Sequence, residues 1–194
     1  MGQIAGSVFR GSLWVRPQGA ALGEIQRVMQ RARDRLGGPA FEPHVSILGG
    51  IELPEDEAGR RLERLADGFL PFAIRLGRFD WYDEYFRCFF ARVETSSELL
   101  ALHRRAQDVF EQRQREAYEP HLSLVYGDAR VDRKKDLALD LRGSLEVSFE
   151  ASSLCLVNAT RDVPVEQWQT AIEARFGGAP VLRNGPQEIR IHGN

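Results

Sequence analysis

Phe41-Glu42-Pro43-His44-Val45-Ser46-Ile47-Leu48 returns almost unchanged as Tyr118-Glu119-Pro120-His121-Leu122-Ser123-Leu124-Val125. Both copies read aromatic, Glu, Pro, His, aliphatic, Ser, aliphatic, aliphatic. On a β-strand, residues two apart point to the same face. Each copy therefore presents one imidazole and one hydroxyl on one face and offers aliphatics to a core behind it. Two such strands facing each other would enclose two histidines and two hydroxyls. That set can move protons and hold a phosphate without a metal ion.

Reading outward, the surroundings repeat as well. Ser7 to Val15 reads as a strand, stopped by Pro17 and Gly19. Leu22, Ile25, Val28, Met29, Ala32 and Leu36 then recur at helical spacing, with Arg27, Arg31 and Arg35 on the other side. Gly37-Gly38-Pro39 ends that helix, and the first histidine strand follows. A more polar helix from about Glu55 to Gly68 and a strand from Phe72 to Phe79 come next. The order then recurs: a strand over Arg87 to Val93, then a helix capped by Ser96 or Ser97. Its apolar positions are Leu99, Leu102, Ala106, Val109 and Phe110, and it fades near Ala117, ahead of Pro120. The second histidine strand follows. Duplication explains motifs embedded in the same order of elements, and it predicts pseudo-twofold lobes. Alternation marks further strands around Leu145 to Phe149 and Trp168 to Phe176, with another at Ser153 to Val157. No linker divides the halves, so residues 1–178 are read as one bilobal domain. Residues 179–194 have little to bury and are read as a flexible tail.

The 194 residues suffice for a substantial core. A net charge of −2 gives no global basic field, so no extended nucleic acid is expected as partner. A small substrate or the end of a strand fits better. Nothing approaches the run of about 18 apolar residues that a membrane span needs. Cys88 and Cys155 lie in apolar runs and read as buried free thiols. No cysteine–histidine cluster suggests a zinc site, and no cofactor is expected. A reducing, cytoplasmic setting and a monomer are the simplest expectations.

Histidine changes charge near neutral pH, with an ordinary value of about 6.5. Two of them across a cleft can divide an in-line displacement at phosphorus. One takes a proton from the attacking water and the other gives one to the departing alkoxide. Ser46 and Ser123 would hydrogen-bond the phosphate oxygens from rigid strands. A strained cyclic phosphate, whose leaving hydroxyl stays tethered, suits such a site. A lone histidine on an apolar strand is usually a structural residue; two copies in one topology argue against that. A serine nucleophile fits poorly, because no Gly-rich elbow surrounds either serine.

These residues resemble the two-histidine phosphoesterase superfamily, marked by paired His-x-Ser/Thr motifs with aliphatic flanks. Within it the chain is similar to the cyclic phosphodiesterases of the plant and yeast type. The similarity rests on Ser12-Leu13-Trp14-Val15-Arg16-Pro17, both histidine motifs, Phe86-Arg87-Cys88-Phe89, Tyr126 and Trp168. It covers roughly residues 7–176. Ser46 stands where members commonly carry Thr. The resemblance implies a bilobal α+β fold with antiparallel sheets lining a central cleft and helices packed outside. It implies metal-independent hydrolysis of ADP-ribose 1″,2″-cyclic phosphate, and opening of nucleoside 2′,3′-cyclic phosphates to 2′-phosphates. It makes His121 the base and His44 the acid, with Ser46 and Ser123 on the phosphate. Trp14 and Tyr126 are candidates to wall the pocket, although strict alternation would turn Tyr126 away from His121.

His103 reads as a solvated surface histidine on an Arg-rich helix. Glu42 and Glu119 read as exposed strand-edge groups, and Arg130 to Lys135 as a solvated turn or helix start. Two alternatives stay open. One is an RNA 2′,3′-cyclic phosphodiesterase or 2′–5′ RNA ligase-like enzyme, with Arg78, Arg87 and Arg92 available to an RNA backbone. The other is a nucleotide-binding sensor without turnover.

Overall fold

The structure is a computed structural model that describes residues 7–114, 116–177 and 182–183. In chain order it contains β1 (Val8–Val15), α1 (Gly19–Leu36), β2 (Val45–Pro54), α2 (Glu55–Asp67) and β3 (Phe72–Asp80). These are followed by β4 (Phe89–Val93), α3 (Ser97–Val109), β5 (His121–Val125) and α4 (Val131–Asp140). The chain then closes with β6 (Ser148–Ala151), β7 (Ser153–Val157), β8 (Thr170–Arg175) and β9 (Leu182–Arg183).

Every strand pair is antiparallel, and the spatial order is β6-β3-β4-β5-β2-β1-β7-β8-β9. The predicted α+β duplication is visible in that order. β2 lies beside β1, and β5 lies beside β4, as the repeat requires. The halves meet where β2 and β5 pair at Val45 and Leu122. Helices cross over: α1 packs against β5 and α3 against β2. Each half thus covers the other's histidine strand, and one cluster of buried apolar side chains runs through both.

The helical spacing in α1 is realised, with Ile25, Val28, Met29 and Ala32 buried and Arg27, Arg31 and Arg35 exposed. Gly37 ends it at φ 82°, its N–H donating to the Arg33 carbonyl. In α3, the Ser96 hydroxyl accepts from the Leu99 N–H at 3.1 Å. That helix stops at Val109, well short of the expected Ala117. Glu111 adopts φ 53°, Glu111 N–H donates to Asp108 O and Gln112 N–H to Gln107 O. This is a Schellman ending built on a glutamate, so the glycine that usually announces it is absent.

Other expectations need correction. The strand read over Arg87 to Val93 begins at Phe89, because Tyr85–Arg87 is a short 3-10 turn. The Arg130–Lys135 segment opens α4, but Lys134 is buried with Nζ donating to the Tyr82 carbonyl at 3.0 Å. His103 is not on the surface; it is buried, and Nδ1–H donates to Ile47 O at 2.7 Å. Within the expected tail, Leu182–Arg183 pairs with β8 as β9. The rest of 178–194 lies outside the described residues. Cys88 and Cys155 are free and buried, as expected. Among the described residues, no helix is long and apolar enough to cross a membrane.

Candidate active site

Two matching irregularities aim the histidine strands. On β2, Leu48 faces Leu13 while Ser46 faces Trp14. On β5, Val125 faces Phe89 while Ser123 faces Phe90. Each register leaves one extra residue, Ile47 or Leu124, a β-bulge placed one residue after the serine. The bulge interrupts strict alternation. It explains why Tyr126, expected on the opposite face, turns into the cleft. Gly38 helps to fix that turn: at φ 101°, a Cβ there would lie 2.2 Å from the Tyr126 carbonyl oxygen.

The bulge on β2 has its own clamp. Tyr118 donates its hydroxyl to Ser46 O at 3.0 Å, and His103 donates to Ile47 O. The two rings stack, with centroids 3.9 Å apart and 3° between planes. Sequence reading missed this role because a histidine among arginines on a helix carries no sign of burial.

His44, Ser46, His121, Ser123, Trp14 and Tyr126 all line one cleft of about 250 Å³. The structure thus brings these six candidates together; of the arginines considered for an RNA backbone, Arg87 lines the cleft and Arg78 and Arg92 do not. His44 Nδ1 lies 2.7 Å from the Glu42 carbonyl, and His121 Nδ1 lies 2.9 Å from the Glu119 carbonyl. A carbonyl can only accept, so both Nδ1 atoms carry hydrogen and both Nε2 atoms are left for chemistry. Trp14 stacks on His44 at 3.5 Å, with 6° between the rings. The Tyr126 hydroxyl lies 3.4 Å from His44 Nε2, and its ring stacks on Phe41 at 4.0 Å. Ser123 donates to the Phe86 carbonyl at 3.2 Å.

Other lining residues were not singled out as pocket residues: Ser12, Phe86, Arg87, Thr160 and Arg161. Ser12 was legible, because it lies two residues from Trp14 on β1 and so shares its face. Arg161 comes from the loop after β7, where spacing says nothing about direction. Trp168 closes the same wall, edge-on to Trp14 at 5.8 Å. A neighbouring cavity of about 380 Å³ shares Ser46, Arg87 and His121 with the cleft. The glutamates are engaged: Glu42 pairs with Arg16, and Glu119 pairs with Arg87 and accepts from the Tyr82 hydroxyl.

Burial dominates the electrostatics. It pushes His44 down to about 4, with smaller contributions from the nearby charges of His121 and Arg16; the Glu42 carbonyl acts the other way. His121 is also lowered, first by burial, then by Arg87 and Arg92, against the opposing Glu119 carbonyl and carboxylate. Both rings are therefore neutral in the unliganded cleft near pH 7. Burial raises the Tyr126 phenol, so it stays a donor. Among the described residues, no group of three or more His, Cys, Asp or Glu is placed to hold a metal ion.

The sequence model of the 2′-5′ RNA ligase superfamily matches residues 15–163. The chain belongs to this superfamily of two-histidine phosphoesterases. The matched stretch contains both motifs and both bulged strands. A cyclic phosphodiesterase from Arabidopsis thaliana is 29% identical over 164 residues, covering 82% of this chain and 91% of that protein. The superfamily and this relative mark the chain as a phosphodiesterase-type hydrolase or a ligase-like enzyme. Among solved structures, TT0787 of Thermus thermophilus superposes with a TM-score of 0.63 at 18% identity, covering 87% of this chain and 98% of that one. LigT of E. coli in its apo form gives 0.61 at 9% identity, covering 88% and 99%. LigT complexed with 3′-AMP matches over the same shares with the same TM-score. These structural likenesses establish the shared fold.

Proposed function

We propose that the chain hydrolyses nucleoside 2′,3′-cyclic phosphates to 2′-phosphates and ADP-ribose 1″,2″-cyclic phosphate to the 1″-phosphate. One observation carries this reading: two Nε2 atoms and two serines converge on a single cleft walled by Trp14, Tyr126 and Trp168. The aromatic wall suits a nucleobase, and the His–Ser pairs suit a phosphate. The Arabidopsis relative bears the name of this activity, and a LigT structure holds 3′-AMP.

In the proposed reaction His121 takes the proton of the attacking water, and the water oxygen bonds to phosphorus. The ring P–O bond breaks, and the freed oxygen receives the proton of His44 Nε2. Burial disfavours protonated His44, so the negative charge of the bound phosphate raises its pKa and the ring takes up the required proton from solvent as substrate binds. The indole face of Trp14 supports the resulting imidazolium. The decisive assay follows ring opening of a 2′,3′-cyclic nucleotide in His44→Ala and His121→Ala. Each variant should lose about 10²–10⁴ in kcat while still binding the nucleotide. Full activity in either one would sink the mechanism, and binding without turnover in the wild type would favour a sensor.

A second reading, cyclic-phosphate-ended RNA as substrate, is favoured by the adjoining cavity, which offers room beyond one nucleotide. Competition by such an RNA end, steeply dependent on salt, would support it; no competition at low salt would exclude it.

A further inference from the structure

The pseudo-twofold axis gives each motif glutamate an arginine, and the two arginines differ in placement. Arg16 is drawn away from the cleft by three partners: Glu42 at 2.9 Å, Thr170 at 3.1 Å and Glu173 at 3.1 Å. It does not line the cavity. Arg87 does, and it stands where the cleft meets the adjoining cavity at Ser46 and His121.

Arg87 is held in one pose. Its Nη2 donates to the Glu119 carboxylate, and its Cζ lies 4.1 Å from the Tyr82 ring centroid. The Tyr82 hydroxyl donates to the same carboxylate at 2.9 Å. The backbone ties this cation to both groups of the second motif. Phe86, its chain neighbour, accepts from Ser123, and Glu119, its ion-pair partner, accepts from His121. Arg87 Nε is buried without a hydrogen-bond partner, the one such side-chain atom among the described residues.

We propose that Arg87 is a catalytic residue that donates to a non-bridging oxygen of the reacting phosphate. The proposal rests on the cyclic phosphodiesterase reading and adds a group to its mechanism. As the water oxygen bonds to phosphorus and its proton passes to His121, negative charge gathers on the non-bridging oxygens. A guanidinium already fixed beside them needs no reorganisation, and charge-assisted donors are about twice as strong as neutral ones. When the ring P–O bond breaks and His44 protonates the departing oxygen, the charge relaxes and Arg87 remains tethered. The same cation disfavours a second positive charge on His121, which suits a base. Of the two motif arginines, only the one on the His121 side lines the cleft; Arg16 acts on His44 from outside it.

The test compares R87Q and R87K with the wild type on 2′,3′-cyclic AMP, after a thermal melt confirms folding. R87Q should lower kcat by about 10²–10³-fold, and R87K should recover part of the loss. Titration with inorganic phosphate, followed by the histidine ring NMR signals, should show affinity weakened about tenfold in R87Q, the size expected for one lost charged hydrogen bond. The pH profile of kcat/KM should shift in R87Q, where the cation beside His121 is lost, and stay in place in R87K. A kcat within about threefold of wild type, or a loss with unchanged phosphate affinity and an unmoved pH profile, would overturn the proposal. If the wild type opens no cyclic phosphate, the functional reading falls and the catalytic role falls with it. The phosphate titration then still decides whether Arg87 is an anion ligand.

Discussion

Protonating His44 should cost the fold about 3 kcal/mol, and the cost is measurable without any substrate. Burial moves the ring from its ordinary 6.5 to about 4, and each pKa unit corresponds to about 1.36 kcal/mol. The folded value lies below the unfolded one, so between them the unfolded chain binds the extra proton. Stability from this group is therefore complete above about pH 6.5 and is lost as pH falls toward about 4. His44→Asn supplies the comparison: its amide can still donate to the Glu42 carbonyl, and it does not titrate. Urea unfolding would be followed at several pH values from about 7.5 down to about 4.5, which spans most of that window. The wild type should lose about 2–3 kcal/mol more than the variant across that span, since every other titrating group is common to both. Saturating phosphate should reduce the difference, because an anion beside Nε2 favours the imidazolium. Equal slopes for the two proteins would refute the claim that the fold holds His44 neutral.

Three further outcomes follow from the same geometry. The pH–rate profile should be bell-shaped, with its basic limb at higher pH in kcat than in kcat/KM, because bound phosphate raises His44; coincident limbs would contradict substrate-linked protonation. Ser46→Ala and Ser123→Ala should each reduce kcat less than either histidine-to-alanine change, and an equal or greater loss would point to a serine nucleophile. Tyr118→Phe removes the hydroxyl that holds the Ser46 carbonyl. It should cost about 1 kcal/mol of stability and several-fold in kcat, and a variant with unchanged kcat would show that the clamp does not position Ser46.

The parts of the fold that were legible share one property: each is written in a local period. The apolar spacing of α1, the shared cleft face of each histidine and its serine, and the Ser96 cap are decided by neighbours in sequence, and all formed as read. What escaped depends on contacts far along the chain. His103 is buried because Ile47, 56 residues earlier, offers a bulged carbonyl. Lys134 is buried because Tyr82 offers another carbonyl. Neither residue type announces burial, since lysine is almost always exposed and histidine is only intermediate. The end of α3 escaped for a subtler reason, a glutamate doing what glycine ordinarily does.

The repeated motif made the two halves look interchangeable, and for hydrogen bonding they are: both Nδ1 atoms donate to the carbonyl of the motif glutamate. The surroundings separate them. Trp14 covers His44 at 3.5 Å, whereas Phe90, which occupies the matching register opposite Ser123, is tilted 58° to His121 at 5.1 Å. Arg16 is occupied outside the cleft while Arg87 lines it. An aromatic face favours a ring that gains a proton, and a neighbouring cation favours a ring that stays neutral. Duplication supplied two equivalent histidines, and the residues that diverged around them make their surroundings differ; burial holds His44 firmly neutral, so the acid role proposed for it depends on a bound anion to raise its pKa.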